Sequence, residues 1–427
     1  MPATSRLEIP ARTSFLPIAI AFAEHTARGF GLDRESAGAL ALATEEVVAG
    51  LCGLDDPDLE LKLDAHDGVY YTDLTITIPY TELALGKMNL TAAIDSEEDL
   101  DNIGWMLAGR MVDGFTIEHQ GKRSTRFHLR KHRTYPDFEG EASMPAPGAM
   151  VVDVRLGSGH DLVLFAQRVL QSGTPLLNRW LMDPPARLAG LVESGEFEVL
   201  LGYSDRGDPV AGLVLDRTRP NLALIDGPHL IDQPDSVSHR LFHAALERLA
   251  RTSLVGVVSE TLAEVTEGEM EFLGGRKFHL ESGSVLATRA YYRGLREDHG
   301  GMIWATPWLE DFLRGEFRRL CLPRDLQIWR PLPGESQAAS VLSCTFRRHR
   351  SECRLQPVLA GQDIAENIVA HLRLAREEGY LNVTFELDLG QPFHLAFAEP
   401  LRDLGFQPRV LLPGAGRGDL LLLGNAS

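Results

Sequence analysis

Apolar residues recur along the chain at two spacings, one typical of helices and the other of strands. From Phe15 they fall at positions i, i+3, i+4 and i+7, which predicts an amphipathic helix near the N-terminus. A second stripe of the same kind predicts a helix over Arg34–Cys52. Alternating residues at 59–63 and 70–78 then predict two paired strands. The chain therefore begins as a mixed α and β structure.

The rest of the first 134 residues continues this mixture. A helix is predicted over 97–112, and strands at 114–119 and 124–131 look like a closing hairpin. Tyr135–Gly148 has no periodicity and is rich in Pro, Gly, Glu and Ser. We interpret this stretch as a linker between domains.

The pattern restarts at Val151 and predicts further strands and helices. They follow in the order strand, two helices, three strands, helix, strand, short helix and a last strand. From about residue 300 this order returns in a reduced form, although no strict sequence repeat is visible. The predicted strands are 151–155, 197–203, 209–217, 221–230, 254–259, 285–292, 337–347, 356–360, 381–387, 408–412 and 419–423, and the predicted helices are 161–171, 184–194, 235–252, 306–320, 363–378 and 393–404.

Length and charge limit the classes of function. A chain of 427 residues, of which 44% are hydrophobic, is expected to fold into two or three core-forming domains. Its net charge of −18 argues against non-specific binding to nucleic acids or to anionic membranes, because their phosphates would be repelled. The charge allows a basic partner without demonstrating one.

The spacing of the cysteines and the length of the apolar runs indicate the cellular compartment. The 4 cysteines have neither CxxC nor zinc spacing, so we expect reduced thiols and no metal site. No segment reaches the roughly 18 consecutive apolar residues of a membrane span. We therefore expect a cytoplasmic protein.

Motifs in the first 133 residues carry a family resemblance. They are Glu8–Pro17, the helix that contains Glu46, and the run Asn102–Asp113. In this order they resemble the anti-sigma-factor serine kinase branch of the GHKL ATPases, which have the Bergerat fold. The resemblance implies an ATP and Mg site with Glu46 as the catalytic residue. The residues implied to contact the nucleotide are Glu45, Gly50, Asn102 and Gly104.

Several of the family's nucleotide contacts are replaced in this sequence. Gly50 stands where the family has the asparagine that coordinates Mg, and glycine offers no side-chain oxygen. Ile78 stands near the aspartate that reads adenine, and Asn102 replaces a glycine of the third motif. Glu46 is retained, four residues before Gly50 on the same helix face. It either faces a nucleotide or belongs to a solvated helix face, and a pocket beside it would distinguish the two.

Residues beyond the linker resemble acyl-CoA N-acyltransferases of the GNAT superfamily. The main resemblance lies in Asn221–Arg251, where a strand, a turn and a long helix follow one another. It implies that acetyl-CoA binds at this turn, with Gln233 and Ser236 at its pyrophosphate. The turn lacks the family's glycines, and Asp232 and Asp235 would repel a pyrophosphate. An ordinary helix N-cap at Asp235 or Ser236 explains these residues better.

Two more features belong to this second resemblance. Phe272–Arg276 is similar to the superfamily's Leu-Gly-Phe turn, and Pro400–Phe406 preserves that turn more completely. Tyr291 and Tyr292 lie on a predicted strand downstream, where either could be the catalytic acid. Tyrosines in strands more often serve packing, and this is our main interpretation.

Two groups of polar residues lie outside both resemblances. His239 and His243 are four residues apart on one predicted helix, but no third ligand is evident, so we expect a helix surface rather than a metal site. Arg347–Arg350 reads Arg-Arg-His-Arg, a local basic cluster in an acidic chain. We expect a solvated turn there, with an intramolecular acidic partner or a phosphate site as the alternatives.

The patterns and the resemblances together imply an α+β, multidomain chain. A Bergerat ATPase-like α/β sandwich is expected at 1–134 and a linker at 135–149. A GNAT-like domain with a mixed sheet is expected at 150–296, and a second, reduced GNAT-like domain at 297–427.

Three hypotheses for function remain open. The main one is a regulatory protein whose degenerate kinase-like domain binds a protein partner, an anti-sigma antagonist or a sigma factor, with a homodimer left open. Its GNAT-like domains would bind CoA or an acylated ligand, or would serve as a scaffold. The first alternative is an N-acetyltransferase that uses acetyl-CoA, with the N-terminal domain as its sensor. The second is an active anti-sigma serine/threonine kinase, against which Gly50 is the main evidence.

Overall fold

The computed structural model describes residues 3–54, 58–79, 100–119, 124–137, 142–146, 148–173, 176–261, 270–280, 283–331, 338–347 and 350–425. These residues form a mixed α/β structure with three sheets of five or more strands and one small two-stranded sheet. None of the described helices is both long enough and apolar enough to span a bilayer.

The N-terminal sheet contains five antiparallel strands in the order β1-β2-β3-β5-β4. Three helices pack against it and close its core. The strands are β1 (Thr4–Pro10), β2 (Glu60–Asp67), β3 (Tyr71–Pro79), β4 (Gly114–His119) and β5 (Ser124–His132), and the helices are α1 (Leu16–Gly29), α2 (Arg34–Cys52) and α3 (Leu100–Met111).

The N-terminal helices form where the apolar spacing predicts them, with one correction. Asp33 caps α2 by accepting a hydrogen bond from the Ser36 amide at 2.7 Å. In α1, however, the buried face consists of alanines such as Ala19 and Ala23, whereas Ile18 is 47% exposed. The prediction that Ile18 belongs to the buried stripe is therefore wrong, because small side chains let α1 pack closely against α2.

The central sheet has seven strands in the order β11-β12-β10-β9-β8-β7-β6. All neighbouring strands are antiparallel except β9 and β10, which are parallel because the long helix α6 connects them. The strands are β6 (Val151–Leu156), β7 (Phe197–Ser204), β8 (Pro209–Asp216), β9 (Leu222–Leu230), β10 (Gly256–Thr261), β11 (Glu271–His279) and β12 (Val285–Gly294), and the helices are α4 (His160–Gln171), α5 (Ala186–Glu193) and α6 (Ser236–Leu249).

The C-terminal sheet has five strands in the order β15-β16-β17-β19-β18, and β16 and β17 are its parallel pair. Helix α8 connects these two strands as α6 connects β9 and β10. A separate parallel pair, β13 and β14, precedes the sheet and was not predicted. The elements are β13 (Gly301–Ala305), α7 (Pro307–Arg319), β14 (Arg324–Ile328), β15 (Val341–Arg347), β16 (Glu352–Leu359), α8 (Ile364–Glu377), β17 (Asn382–Asp388), a 3-10 helix (Pro392–Phe397), α9 (Ala398–Asp403), β18 (Phe406–Leu412) and β19 (Leu420–Asn425).

The strand order of the C-terminal sheet repeats part of the central sheet. Strands β15-β16-β17-β19-β18 correspond in order and direction to β8-β9-β10-β12-β11. Among the described residues, the C-terminal sheet has no counterpart of the strands β6 and β7. The similarity that the hydrophobic pattern indicates is therefore visible as a shared topology, five strands against seven.

Each of the three sheets contacts the other two. The Ile117 amide on β4 donates a hydrogen bond to Ser343 Oγ on β15 at 3.3 Å. On β11, Gly274 packs so closely on β18 that a Cβ there would lie 2.1 Å from the Arg409 carbonyl oxygen. Tyr71 of β3 donates to Glu196, just before β7, at 3.2 Å. The sheets therefore form a ring, and buried residues of the N-terminal and C-terminal sheets share one continuous core.

Candidate functional site

A cavity of about 1140 Å³ lies inside this ring, and all three sheets contribute to its wall. Its lining includes His132 of β5, Asp226 of β9 and Arg347 of β15. Its volume is slightly above the range of roughly 300–1000 Å³ that is typical of sites for small molecules. The cavity is therefore the first candidate for a functional site in the described part of the chain.

The charge of the cavity wall is opposite to that of the whole protein. The chain as a whole has 60 Asp and Glu against 42 Lys and Arg. Among the described residues of the lining, ten are Arg or Lys and six are Asp or Glu. The cations are Arg110, Arg130, Lys131, Arg133, Arg187, Arg219, Arg276, Arg347, Arg350 and Arg354, and the acids are Asp113, Asp137, Asp216, Asp226, Glu260 and Glu378.

One side of the cavity is the place where β9 and β10 separate. The two strands pair in parallel as far as Ile225 and Ser259. The next residue of each strand, Asp226 on β9 and Glu260 on β10, lines the cavity. In open sheets, ligands commonly bind at the carboxyl ends of parallel strands, where the strands diverge.

Two side chains bridge this separation. Asn178 donates a hydrogen bond to Asp226 and accepts one from Arg350. Arg350 also donates to Glu260 Oε2 at 3.1 Å and to the Leu177 carbonyl at 3.0 Å. The C-terminal sheet thus places a guanidinium, through the turn before β16, between the parallel strands of the central sheet.

A buried network of charges extends from Glu260 into the C-terminal sheet. Arg276 on β11 donates to Glu260 Oε1 at 2.6 Å and to Glu352 Oε1 at 2.8 Å. Glu352, at the start of β16, is fully buried. Thr384 donates to the same Glu352 oxygen at 2.9 Å. Buried carboxylates are stable only with such partners, so these contacts hold the two sheets together.

The network ends at Arg354 on β16. Its guanidinium donates to Glu386 Oε1 at 2.9 Å. Its Nε lies 3.0 Å from Glu352 Oε1, which gives an ion pair without an aligned hydrogen bond. The other Glu352 oxygen has no hydrogen-bond partner among the described residues.

The arginines control how the acids of the network ionise. Burial alone would raise the pKa of Glu260, but Arg276, Arg350 and Arg354 outweigh burial and lower the pKa to about 2. Glu352 behaves in the same way, and its pKa is also lowered. Both carboxylates are therefore ionised at neutral pH.

Arg347 lines the same wall but differs from the other arginines of the network. In the part of the chain that the structure describes, no carboxylate lies within ion-pair distance of its guanidinium. Burial, together with the nearby Arg354 and Arg350, lowers its pKa to about 9. The charged form of Arg347 is thus poorly compensated by the protein itself.

Asp226 has a second partner besides Asn178. His229 Nε2 lies 2.6 Å from Asp226 Oδ1, and both side chains are nearly buried. A histidine oriented by a carboxylate can act as a general base. The pair stands at the end of the parallel strands, beside the bridge formed by Arg350.

The implied ATP site around Glu46 is closely packed on the side that the structure describes. Added Cβ atoms would lie 2.9 Å from the Trp105 indole at Gly50 and 2.7 Å from the Glu46 carboxylate at Gly104. Trp105 itself is 3% exposed. Gly50 and Gly104 thus serve the close packing of α2 against α3.

The remaining residues of that implied site differ in their surroundings. Glu45 and Glu46 are half-exposed on α2, and burial, together with the Glu45 charge, raises the pKa of Glu46. Ile78 is 1% exposed inside β3, where it belongs to the core. The side chain of Asn102 lies outside the described part.

The implied CoA turn is engaged with the chain's own backbone. The Gln233 amide donates to the carbonyl oxygens of Ala149 and Asp232, and its oxygen accepts from the Val151 amide at 3.1 Å. Ser236 is exposed at the first turn of α6. Asp235, one of the two residues predicted as the N-cap, occupies the N-cap position of α6, although its side chain makes no capping hydrogen bond.

The two predicted Leu-Gly-Phe turns have different outcomes. Gly405 has φ of 83° and leads into β18 at the buried Phe406, as predicted. Phe272–Arg276, by contrast, lies inside β11, with a bulge between Phe272 and Gly274. The prediction of a turn is wrong there because pairing with β12 continues through the glycines.

The strand tyrosines and the helix histidine His243 lie in different surroundings. Tyr291 and Tyr292 are 7% and 5% exposed, and burial raises the pKa of Tyr292 to about 12. This agrees with packing rather than catalysis. His243 lies on the exposed face of α6 beside Glu247, at 3.5 Å. The described residues contain no group of three potential metal ligands.

The basic cluster at Arg347–Arg350 is partly buried, which differs from its predicted exposure. Arg350 is 3% exposed, so the expectation of a solvated turn is wrong for this residue, and the alternative of an acidic partner applies. Asn178, Glu260 and Arg276 were not singled out. The sequence carries no clear signal for them, because Glu260 follows the end of the predicted strand 254–259 and Arg276 lies in a segment predicted as a turn.

Comparison with known proteins gives similarity of fold over part of the chain. No family model and no curated protein matches the sequence. Solved structures that match about a third of the chain are acetyltransferases. A probable acetyltransferase from Staphylococcus epidermidis has 11% identity and a TM-score of 0.29, and covers 33% of this chain and 98% of its own.

Two further matches are of the same kind. A GNAT superfamily phosphinothricin acetyltransferase from Sinorhizobium meliloti, in complex with AcCoA, has 14% identity and a TM-score of 0.28, and covers 34% of this chain and 89% of its own. A spermidine N-acetyltransferase mutant from Vibrio cholerae has 11% identity and a TM-score of 0.27, and covers 34% and 93%. None of these matches supports the GHKL resemblance, and at these TM-scores none carries a functional conclusion.

Proposed function

We propose that this protein binds an anionic small molecule in the central cavity, and that recognition rather than turnover is its main role. The observation that carries the proposal is the reversed charge of the cavity wall, ten cations against six acids in a chain with an acidic excess. The proposal is consistent with the regulatory hypothesis from the sequence, with the ligand bound between the sheets.

The unpaired arginines support an anionic ligand in particular. Arg187, Arg219 and Arg347 line the cavity without an ion pair to any described residue. Burial lowers the pKa of Arg187, and its Nε has no hydrogen-bond partner in the described part. A cation held away from water without a counterion is unfavourable, so an anion that enters the cavity gains charge-assisted hydrogen bonds.

The ring architecture supports a regulatory role for such a ligand. The cavity wall combines residues of all three sheets, so an occupant would contact all of them at once. A ligand that binds across interfaces stabilises the arrangement in which those interfaces are closed. Binding would thereby be transmitted to the outer surfaces of the protein.

Isothermal titration calorimetry on the full chain at low salt tests the proposal. We expect at least one of pyrophosphate, ATP and acetyl-CoA to bind, and neutral adenosine to bind much more weakly. Arg187→Gln should weaken this binding, whereas the exposed Arg373→Gln on α8 should not. Equal affinity for charged and neutral ligands, or no binding at all, would show that the proposal is wrong.

N-acyl transfer from acetyl-CoA is the second candidate function. It is favoured by the separation of β9 and β10 and by the Asp226–His229 pair at that point. The bridge through Arg350 occupies the same separation and would have to open for the reaction. Release of free CoA from acetyl-CoA in the presence of polyamines, lost in His229→Gln, would establish this activity.

We make a separate proposal for the N-terminal sheet and its helices. The order of β1, two helices, a hairpin, α3 and a second hairpin supports the resemblance to the Bergerat fold. The packing of Trp105 on Gly50 favours a role in binding a protein partner over kinase activity. Calorimetry with Mg-ATP decides between them, since micromolar affinity that is lost in Glu46→Ala would restore the nucleotide interpretation.

A further inference from the structure

We propose that Arg347 is the anchor of a phosphate-binding site on the wall of the central cavity, and that the ligand is a phosphorylated small molecule. This inference rests on the proposed function, because it names the chemical class of the ligand and the residue that recognises it. Arg347 belongs to the basic cluster for which a phosphate site is one alternative interpretation of the sequence.

The balance of charge in the buried network is the first argument. The network contains the carboxylates of Glu260, Glu352 and Glu386 and the guanidiniums of Arg276, Arg350 and Arg354, all joined by direct contacts. These six groups neutralise one another. Arg347 stands beside these six groups as a fourth guanidinium, and no described carboxylate forms an ion pair with it.

The donor geometry of this residue is the second argument. A guanidinium has five N–H donors in a fixed plane. Among the described residues, none accepts a hydrogen bond from Arg347, although it lines the cavity. The Arg350 donors, in contrast, are directed at Leu177, Asn178 and Glu260. Of the two cluster members that the structure describes, Arg347 is therefore the one whose donors are available to a ligand.

Phosphate matches this site better than a carboxylate does. A phosphate group has three terminal oxygens and carries close to two negative charges at neutral pH. It can therefore accept two hydrogen bonds from Arg347 while the positive charges of Arg350 and Arg354 also attract it. These two neighbours lower the pKa of Arg347, and an anion at the guanidinium would reverse that effect. A lysine would offer a point charge without the planar fork.

The cavity wall beside Arg347 also suits the rest of such a molecule. Phe346 and Tyr380 line the cavity, and their rings stack with centroids 4.6 Å apart. An apolar surface next to a cationic group is the usual arrangement for a ligand that has a phosphate and a less polar body. The cavity volume of about 1140 Å³ leaves room for both parts.

Binding of inorganic pyrophosphate to the full-length protein tests this inference by calorimetry. We expect the affinity to fall at least tenfold in Arg347→Gln and to recover in part in Arg347→Lys. Arg373→Gln, an exposed arginine on α8, is the matched control and should bind like the unmodified protein. Succinate, a dicarboxylate, should bind at least tenfold more weakly than pyrophosphate.

The melting temperature without ligand gives a second readout. Because Arg347 has no ion pair in the described part of the chain, Arg347→Gln removes an uncompensated charge, so its melting temperature should equal or exceed that of the unmodified protein. Pyrophosphate should raise the melting temperature of the unmodified protein and leave that of Arg347→Gln unchanged. A clear loss of stability in Arg347→Gln would show that Arg347 has a structural role, and would overturn the inference.

The outcomes separate this inference from the proposed function. If pyrophosphate binds equally to Arg347→Gln but weakly to Arg187→Gln, the cavity binds anions and Arg347 is not the anchor. If succinate binds as tightly as pyrophosphate, the ligand class is wrong although the site is correct. If no anion binds the unmodified protein, the proposed function fails together with the inference.

Discussion

The two parallel strand pairs of this protein share their topology and differ in what lies at their ends. Both β9–β10 and β16–β17 are connected by a long helix and flanked by antiparallel strands in the same order. In the central sheet, the residues just beyond the paired segment are Asp226 and Glu260, which line the cavity. In the C-terminal sheet, the 3-10 helix Pro392–Phe397 packs against both strands of the pair.

The filling of the C-terminal pair is apolar. Leu395 and Phe397 of that 3-10 helix are fully buried, and Phe397 packs against Phe385 of β17 with ring centroids 5.9 Å apart. The central pair is instead bridged by Asn178 and Arg350, through polar contacts alone. An apolar filling is stable without any ligand, whereas a polar bridge beside a cavity can exchange its partners with a bound anion.

The comparison suggests a division of roles between the two sheets. The C-terminal sheet has a closed parallel pair and supplies Arg347, Arg350 and Glu352 to its neighbour. In the central sheet, the parallel strands end at the cavity, and Arg347 and Arg350 form part of the cavity wall beside them. If the division is correct, substitutions at the two strand pairs should have separable effects on stability and on ligand binding.

Removing a cation from the buried network of charges around Glu260 should have the largest effect on stability. Arg276→Ala leaves Glu260 and Glu352 buried with too few cations, so we expect a loss of about 3–5 kcal/mol in the free energy of unfolding, measured by chemical denaturation. Arg155→Ala breaks an exposed pair with Asp153 and should have a much smaller effect, because water screens exposed charges. A similar small cost for Arg276→Ala would mean that the network does not join the sheets.

Removing an apolar side chain at the C-terminal strand pair should destabilise the protein without changing its affinity for the anion. Leu395→Ala removes a fully buried side chain, and the cavity it leaves should cost about 2–4 kcal/mol in the free energy of unfolding. Anion binding, measured by calorimetry on the folded protein, should be unchanged. If Leu395→Ala abolished binding, the two strand pairs would not have separate roles.

Low pH should selectively weaken the buried network of charges around Glu260. The pKa of Glu260 is about 2 in the folded protein and near its ordinary value of 4.5 when unfolded. A lowered pKa contributes stability above the unfolded value, and this contribution is lost as the pH falls from about 4.5 towards 2, by at most about 3 kcal/mol. Denaturation curves across this range should show the loss, with a similar contribution from Glu352.

Glu260→Gln is the matched variant for the acid prediction. It should be less stable at neutral pH, because Arg276 and Arg350 lose a counterion, and its stability should depend less on pH in the same window. An equal pH dependence in both proteins would assign the effect to other carboxylates.

The smallest effect is expected at the bridge itself. Asn178→Ala removes the neutral link between Asp226 and Arg350 but leaves the Arg350–Glu260 ion pair in place. We expect a loss of about 1–2 kcal/mol in the free energy of unfolding. A loss greater than that of Arg276→Ala would place the main connection at Asn178 instead of the charged network.

Local pattern was sufficient to predict most helices and strands but not every buried face. The helix over Arg34–Cys52 begins and ends as predicted, since a capping Asp33 and a regular apolar stripe specify it. The strands β13 and β14 were missed, because each has only five residues and no clear alternation. The buried face of α1 was misjudged at Ile18, because the periodicity cannot tell which of two apolar stripes meets a neighbour.

The candidate site was much less predictable than the elements. Glu46, Gly50 and Gly104 were singled out through a resemblance, and the structure shows them in contact between two packed helices. Asn178 and Glu260 were missed, although they stand at the centre of the bridged opening. The distance along the chain explains this, since Arg350 and Asn178 are 172 positions apart.

The sequence by itself determined the class of fold, the positions of most elements and the acidic character of the chain, because these depend on local spacing and on composition. Only the tertiary structure decided which charges are buried together and which remain without a partner. Arg347 and Arg350 are three positions apart in one basic cluster and both line the cavity, yet Arg350 pairs with Glu260 whereas Arg347 has no ion pair with any described residue. That difference depends on how the three sheets pack around the cavity, and the local sequence pattern contains no information about this packing.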